Sequence, residues 1–197
     1  MGKGERTRAA ILDQALAVTS TEGVTGLTIG TLADRLGMSK SGLFAHFGSK
    51  ELLQQAVLEH ALALFTERVL RPAVARPRGL PRVETFFDGW IVWIREGVPP
   101  GGCPLETAAK ELDDKPGPLR DLVARTHGQL IDFATDLARR AVAEGHLRRD
   151  LDAELFAFEM TGIAFGFSHM HRMMRHPGAE RLARTAFAAL LDRSRPT

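Results

Sequence analysis

Apolar residues recur along this chain at helical spacing almost from end to end. Ile11, Leu12, Ala15, Leu16 and Thr19 share one face and predict a first amphipathic helix over about residues 7–21, stopped by Gly23. Thr28 then reads as an N-cap, because a Thr hydroxyl can accept from a free N–H of the first helical turn. Behind it Ile29, Leu32, Ala33 and Leu36 fall at i, i+3, i+4 and i+7, the apolar face of a two-turn helix that Gly37 closes. Ser39 opens a short helix running to about Phe47. Gly48-Ser49 breaks it, and Ser49 caps a long helix reaching about Leu70.

Residues 71–81, with three Pro and one Gly, read as a loop. A helix follows over about residues 82–96, carrying Phe86, Phe87, Trp90, Ile91 and Ile94. Residues 97–104 form a second break, and a short helix covers about residues 105–112. A long helix then runs from Pro118 to about Glu144, with Gly145 past its end. Asp152 caps a helix to about His176, and Pro177-Gly178 separates it from a last one over residues 179–192. No strand-like alternation of useful length appears. The expected class is all-α, about nine helices, divided into an N-terminal three-helix domain (residues 1–50) and a C-terminal helical domain (residues 51–197).

Composition narrows the functional classes. Hydrophobic residues at 44% and charged residues at 25% are globular values and argue against disorder. The single Cys forbids an intrachain disulfide, so the expected compartment is the reducing cytoplasm. No apolar run reaches the roughly 18 residues of a membrane span, and the N-terminus lacks the apolar core of a signal peptide. The net charge of +2 is small, but its placement is uneven. Residues 1–50 hold six basic and four acidic groups, while the remaining 147 balance, so the whole excess sits in the first quarter.

The two short helices joined by Gly37-Met38-Ser39, with a third before them, form a helix-turn-helix pattern. The second of the pair is short enough to enter a major groove end-on. Met38 or Leu43 buries against the first, while Lys40, Ser41 and Phe44 project outward. Leu27-Thr28-Ile29, followed by Leu32 through Leu52 (LADRLGMSKSGLFAHFGSKEL), resembles the DNA-binding signature of TetR-family transcriptional repressors over about residues 7–52. The resemblance implies a two-fold dimer with two reading heads, C-terminal lobes that bind small molecules, and repression that ends when ligand binds. Position by position, it implies DNA-binding roles for Thr28, Ser39, Lys40, Ser41, Gly42, Phe44, His46 and Lys50. Two positions depart from the pattern. The glycine follows a serine (Ser41-Gly42) where the family has it directly after the lysine. Phe44 stands where the family has Tyr, so a phosphate donor is missing.

Beyond residue 52 only helix count and lengths agree with the family. The aromatic set Phe86, Phe87, Trp90 and Trp93 is wider than one stripe, so one side is core and the other is available to line a cavity. The ligand-binding candidates are Phe65, Phe86, Trp90, Trp93, Cys103, His127, Phe133 and Phe167, each with plain core as the competing reading. Cys103, near a helix N-terminus, also admits a redox- or electrophile-sensing role. His169 and His171 diverge by about 200° on a helix, which argues against a metal site, and no cofactor is expected. For the dimer interface the candidates are Phe158, Gly162, Phe165, Gly166, His169 and Phe187. The loop arginines Arg71, Arg76, Arg78 and Arg82 are read as a solvated surface rather than a second basic patch.

The function expected is a ligand-responsive, non-enzymatic regulator. Its partners would be an operator of double-stranded DNA, a small hydrophobic or aromatic effector and a second copy of the chain, with no membrane. The alternatives are a Cys103-based redox sensor and a helical protein-interaction module. No metal-ligand spacing, nucleophile elbow or phosphate-cradling loop favours an enzyme.

Overall fold

The computed structural model describes residues 2–97 and 102–196. Its order is α1 (Lys3–Glu22), α2 (Ile29–Leu36), α3 (Lys40–Phe47), α4 (Lys50–Phe65), a π-helical turn (Thr66–Leu70), α5 (Arg71–Val74), α6 (Leu80–Glu96), α7 (Pro104–Leu112), α8 (Pro118–Ala143), α9 (Ala153–Ser168), a second π-helical turn (His169–Met173) and α10 (Ala179–Ser194). Helical dihedrals continue unbroken from α4 through the π turn into α5. The described residues therefore form nine continuous helices and no strand, as the periodicity requires.

Three boundaries differ from the sequence reading. Helix α1 begins at Lys3 instead of residue 7, with the Glu5 carboxylate accepting from Gly2 N at 2.7 Å beside the free N–H groups of the first turn. Residues 71–74 are helical rather than loop. Pro72 sits just past the π turn, where Arg71 N bonds to the Thr66 carbonyl in the wider i→i−5 pattern, so the proline falls where the backbone has already left the regular i→i−4 ladder. Helix α9 leaves α geometry at Ser168, eight residues early, and passes through the second π turn to Arg175, whose φ is +50°. Of the break predicted over residues 97–104, residues 98–101 lie outside the described residues, and Pro104 already belongs to α7.

The chain packs as two compact units, Met1–Leu64 with Gly97–Thr126, and Phe65–Glu96 with His127–Thr197. Packing thus groups the chain differently from a boundary at residue 50. In the first unit Leu32 and Leu43 of the helix pair share one core with Ile11 and Leu16 of α1, Leu53 and Val57 of α4, and Leu105 and Ala108 of α7. Three short helices bury too little surface to stand alone, so later helices complete their core. In the second unit Phe87 of α6 stacks on Phe187 of α10, with centroids 3.8 Å apart and planes at 11°. Arg184 of α10 reaches Asp88 at 2.7 Å, and Glu180 accepts from Arg184 at 2.9 Å and Arg95 at 3.3 Å.

Candidate nucleic-acid interface and effector site

The turn between α2 and α3 is a Schellman motif. Gly37 takes the left-handed conformation (φ 61°, ψ 28°), a cost only glycine avoids. Gly37 N bonds to the Asp34 carbonyl at 3.4 Å and Met38 N to that of Ala33 at 3.0 Å. Met38 then packs against the core of the unit. Both helices start as the sequence predicts. Thr28 Oγ1 accepts from Thr31 N at 3.1 Å, and Ser39 Oγ accepts from Gly42 N at 3.1 Å. A Cβ at Gly42 would stand 3.0 Å from Ser39 Oγ, so the displaced glycine gives the cap its close approach.

Around this turn the structure gathers most of the residues expected to meet DNA. Ser39, Lys40, Ser41 and Phe44 are exposed on α3 and at its start, Phe44 at 53%. Thr28 and Lys40, twelve positions apart, both approach Gly30. A Cβ there would lie 3.7 Å from Thr28 Oγ1 and 3.8 Å from Lys40 Nζ. A hydroxyl and an ammonium therefore flank the N-terminal turn of α2, where free N–H groups already favour an anion. His46 is half-buried beside Phe47. Arg8, which the sequence reading missed, places its guanidinium 5.0 Å from the centre of the Phe47 ring.

Lys50 is exposed, and its ammonium donates to the Thr25 carbonyl at 3.2 Å. That contact belongs to a clamp on the α1–α2 turn. Gln54, buried on α4, donates to the carbonyls of Val24 at 2.6 Å and Leu27 at 3.2 Å. From α7, the Glu111 carboxylate accepts from Val24 N and Thr25 N, each at 3.1 Å, and from Thr25 Oγ1 at 2.9 Å. Neither Gln54 nor Glu111 carries a local signal, since their partners lie 27 to 87 residues away. At the start of α4, Ser49 Oγ accepts from Leu52 N at 3.1 Å, and bonds from its own backbone and from Ser49 hold the Glu51 carboxyl below the usual carboxylate range. A groove of about 380 Å³ opens there, lined by Leu52, Gln55, Leu112, Lys115, Leu119 and Arg120 among others. None of the effector candidates lines it.

In the second unit six of the eight effector candidates come together. Phe65 meets Trp90 and Trp93 edge-on, with centroids at 6.0 and 5.5 Å. Phe86 lies 5.5 Å from Trp90 and 5.3 Å from Phe133. Phe165 joins His127 to this cluster, at 6.1 Å from His127 and 5.5 Å from Trp90. Edge-to-face geometry is the arrangement that aromatic quadrupoles favour. The buried Nε1 of Trp93 meets no hydrogen-bond acceptor among the described residues. Leaving such a donor unmet costs about 1–3 kcal/mol. Phe167 stands apart, stacked on His171 at 5.2 Å. Cys103 stands at the N-cap position of α7 and packs half-buried against the core of the first unit.

Of the candidate dimer residues, Phe158 is 71% exposed on α9. Gly162, Gly166 and His169 are exposed along the same side of the chain's progress through α9 and the π turn. Phe165 is half-buried in the aromatic cluster, and Phe187 is buried against Phe87. The side chain of Phe187 is therefore spent on its own unit's core. Among the described residues, no helix is long and apolar enough to cross a membrane, and no three His, Cys, Asp or Glu are placed to hold a metal.

A capped helix pair with a left-handed glycine turn, a basic and hydroxyl-bearing outer face and an attached helical lobe defines a helix-turn-helix transcriptional regulator. Comparison with known proteins agrees. Residues 11–57 match the family described as bacterial regulatory proteins, tetR family, and residues 79–187 match the tetracyclin repressor-like C-terminal domain. The chain belongs to the TetR family, whose members are non-enzymatic DNA-binding regulators. It is 24% identical to the HTH-type transcriptional regulator SrpR of Pseudomonas putida over 170 residues, 83% of this chain and 74% of that protein. A TetR transcriptional regulator from Chloroflexus aurantiacus superposes with a TM-score of 0.84 at 25% identity, covering 98% of this chain and 96% of that one. AibR, solved with isovaleryl coenzyme A and operator DNA, has the same fold at 21% identity and a TM-score of 0.73, with 93% and 97% covered.

Proposed function

We propose that this protein is a dimeric, cytoplasmic repressor that binds a palindromic operator and releases it when a small apolar or aromatic effector binds. Residues 1–50 serve as the DNA-binding domain and residues 51–197 as the ligand-binding and dimerisation domain. The observation that carries the reading is the exposed face formed by Ser39, Lys40, Ser41 and Phe44 beside Thr28, on a helix held by a Schellman turn. The first turn of α3 presents Ser41 and the bare backbone of Gly42 to base edges. Thr28, Lys40 and the N-terminus of α2 offer a phosphate cradle, and Lys50 and His46 are further candidates for backbone contacts. In a two-fold dimer the two α3 helices would address successive major grooves, about 34–36 Å apart.

The exposed apolar residues Leu155 and Phe158 of α9 and Leu182 of α10 support α9 and α10 as the dimer face, with Gly162 and Gly166 allowing close helix approach. The aromatic cluster of Phe65, Phe86, Trp90, Trp93, His127 and Phe133 supports an apolar effector. Helix α4 starts beside the operator-facing residues, and the π turn that continues it falls in the other compact unit. That continuity makes α4 the candidate lever, provided effector and operator favour different positions of it.

Footprinting on the protein's own upstream DNA, repeated across salt concentrations, tests the reading. A protected palindrome whose affinity falls steeply with salt supports it. Salt-insensitive association, or none with duplex DNA, favours a protein-interaction module instead.

A further inference from the structure

We infer that Trp93 is the recognition donor of the effector site, and that the effector is a mostly apolar molecule carrying a neutral hydrogen-bond acceptor such as a ketone oxygen. This deepens the reading of the aromatic cluster as an effector site and rests on it. Trp93 is 4% exposed, and its Nε1 has no acceptor among the described residues. The indole N–H is a donor with no acceptor capacity, so the group that completes it must bring a lone pair. Buried tryptophans normally find such a partner within their own protein. Here the ring stands edge-on to Phe65 at 5.5 Å, and Phe65 in turn meets Trp90, which with Phe86, Phe133, Phe165 and His127 completes the cluster. Those neighbours match a ligand body of hydrocarbon or aryl character. Phe65, the ring against Trp93, supplies no positive charge, and His127 joins the cluster through Phe165, so a neutral oxygen fits better than a carboxylate, whose buried charge one N–H does not compensate.

The chain has two Trp, which makes the assignment directly readable. In the ¹⁵N-labelled full-length protein the indole region holds two signals, and Trp90→Phe identifies that of Trp93. The probes are acetophenone and isopropenylbenzene, which share a shape and differ in C=O against C=CH₂. The expected result is a downfield move of the Trp93 indole proton with acetophenone alone. Acetophenone should also bind about tenfold tighter, the worth of one net hydrogen bond. Trp93→Phe should erase that preference while leaving the binding of isopropenylbenzene in place.

Equal affinity for the two probes overturns the inference, as does binding of neither at millimolar concentration. It falls equally if the Trp93 indole proton of the ligand-free protein already has a hydrogen-bonded shift, since a resident water then completes the donor. Operator binding measured alongside separates the two readings. A probe that moves Trp93 without altering operator affinity refutes the cluster as an effector switch and leaves the donor assignment standing. Operator release by either probe with no change at Trp93 does the reverse.

Discussion

Glu111 of α7 grips Thr25 through two hydrogen bonds, from the backbone N–H at 3.1 Å and from the hydroxyl at 2.9 Å. The same carboxylate takes Val24 N at 3.1 Å. It is packed so closely that a Cβ at Gly23 would fall 2.1 Å from its Oε1. The turn that sets α1 against α2 is thus fastened by a residue 86 positions further along the chain. Gly23 also has φ +80°, a conformation strained for any other residue. Gly23→Ala is therefore expected to destabilise the protein by about 2 kcal/mol in urea unfolding. Glu111→Gln, which keeps the shape but aims an amide at N–H donors, should cost about 1–2 kcal/mol. A midpoint unchanged by either substitution contradicts the clamp.

On the proposed operator face, Lys40 and Phe44 are expected to play different parts. Lys40→Ala should weaken operator binding across sequences and lower the salt slope by about one unit, the signature of a lost phosphate contact. Phe44→Tyr restores a phenolic donor on an exposed ring and should keep or tighten binding. A loss of tenfold or more for Phe44→Tyr in a gel-shift assay contradicts that assignment.

Phe158 projects from α9 with 71% of its surface exposed, and in the proposed dimer it lies on the face covered by the partner. Phe158→Arg is expected to raise the dimer dissociation constant at least about tenfold in sedimentation, through burial of an unpaired charge. The circular dichroism spectrum should not change. An equally stable dimer moves the interface elsewhere.

Glu180 is held below the usual carboxylate range, chiefly by the hydrogen bond from Arg184 and further by the charges of Arg184 and Arg95. A depressed carboxylate stabilises the fold above its unfolded-state pKa, and that contribution fades as pH falls through the lower folded-state value. Glu180→Gln should thus lose about 0.5 kcal/mol near pH 7, a modest figure because the pair is solvent-screened. The difference from the native chain should shrink progressively below about pH 4.5. A gap that stays constant to low pH would assign the effect to shape instead of charge.

The sequence by itself determined the local elements and the outer face of the reading head. Thr28, Ser39 and Asp152 cap their helices as their chemistry dictates, because a cap needs only a side-chain oxygen and an N–H two or three residues on. Gly37 ends α2 because left-handed backbone is nearly free for glycine alone. Lys40, Ser41 and Phe44 are exposed because the helical period fixes which side of a short helix its apolar residues bury. The run of helix past Pro72 was not legible, since the π turn that precedes the proline has no signature in residue spacing.

Tertiary structure alone decided which residues meet across the chain. It brought Thr28 and Lys40 both against Gly30, fastened the α1–α2 turn with Glu111 and Gln54, and left Trp93 Nε1 buried without an acceptor among the described residues. It also turned Phe187 into the core against Phe87, where the sequence suggests an interface. Periodicity states that a face is apolar, whereas burial against one's own chain or a partner depends on which helix arrives to cover it.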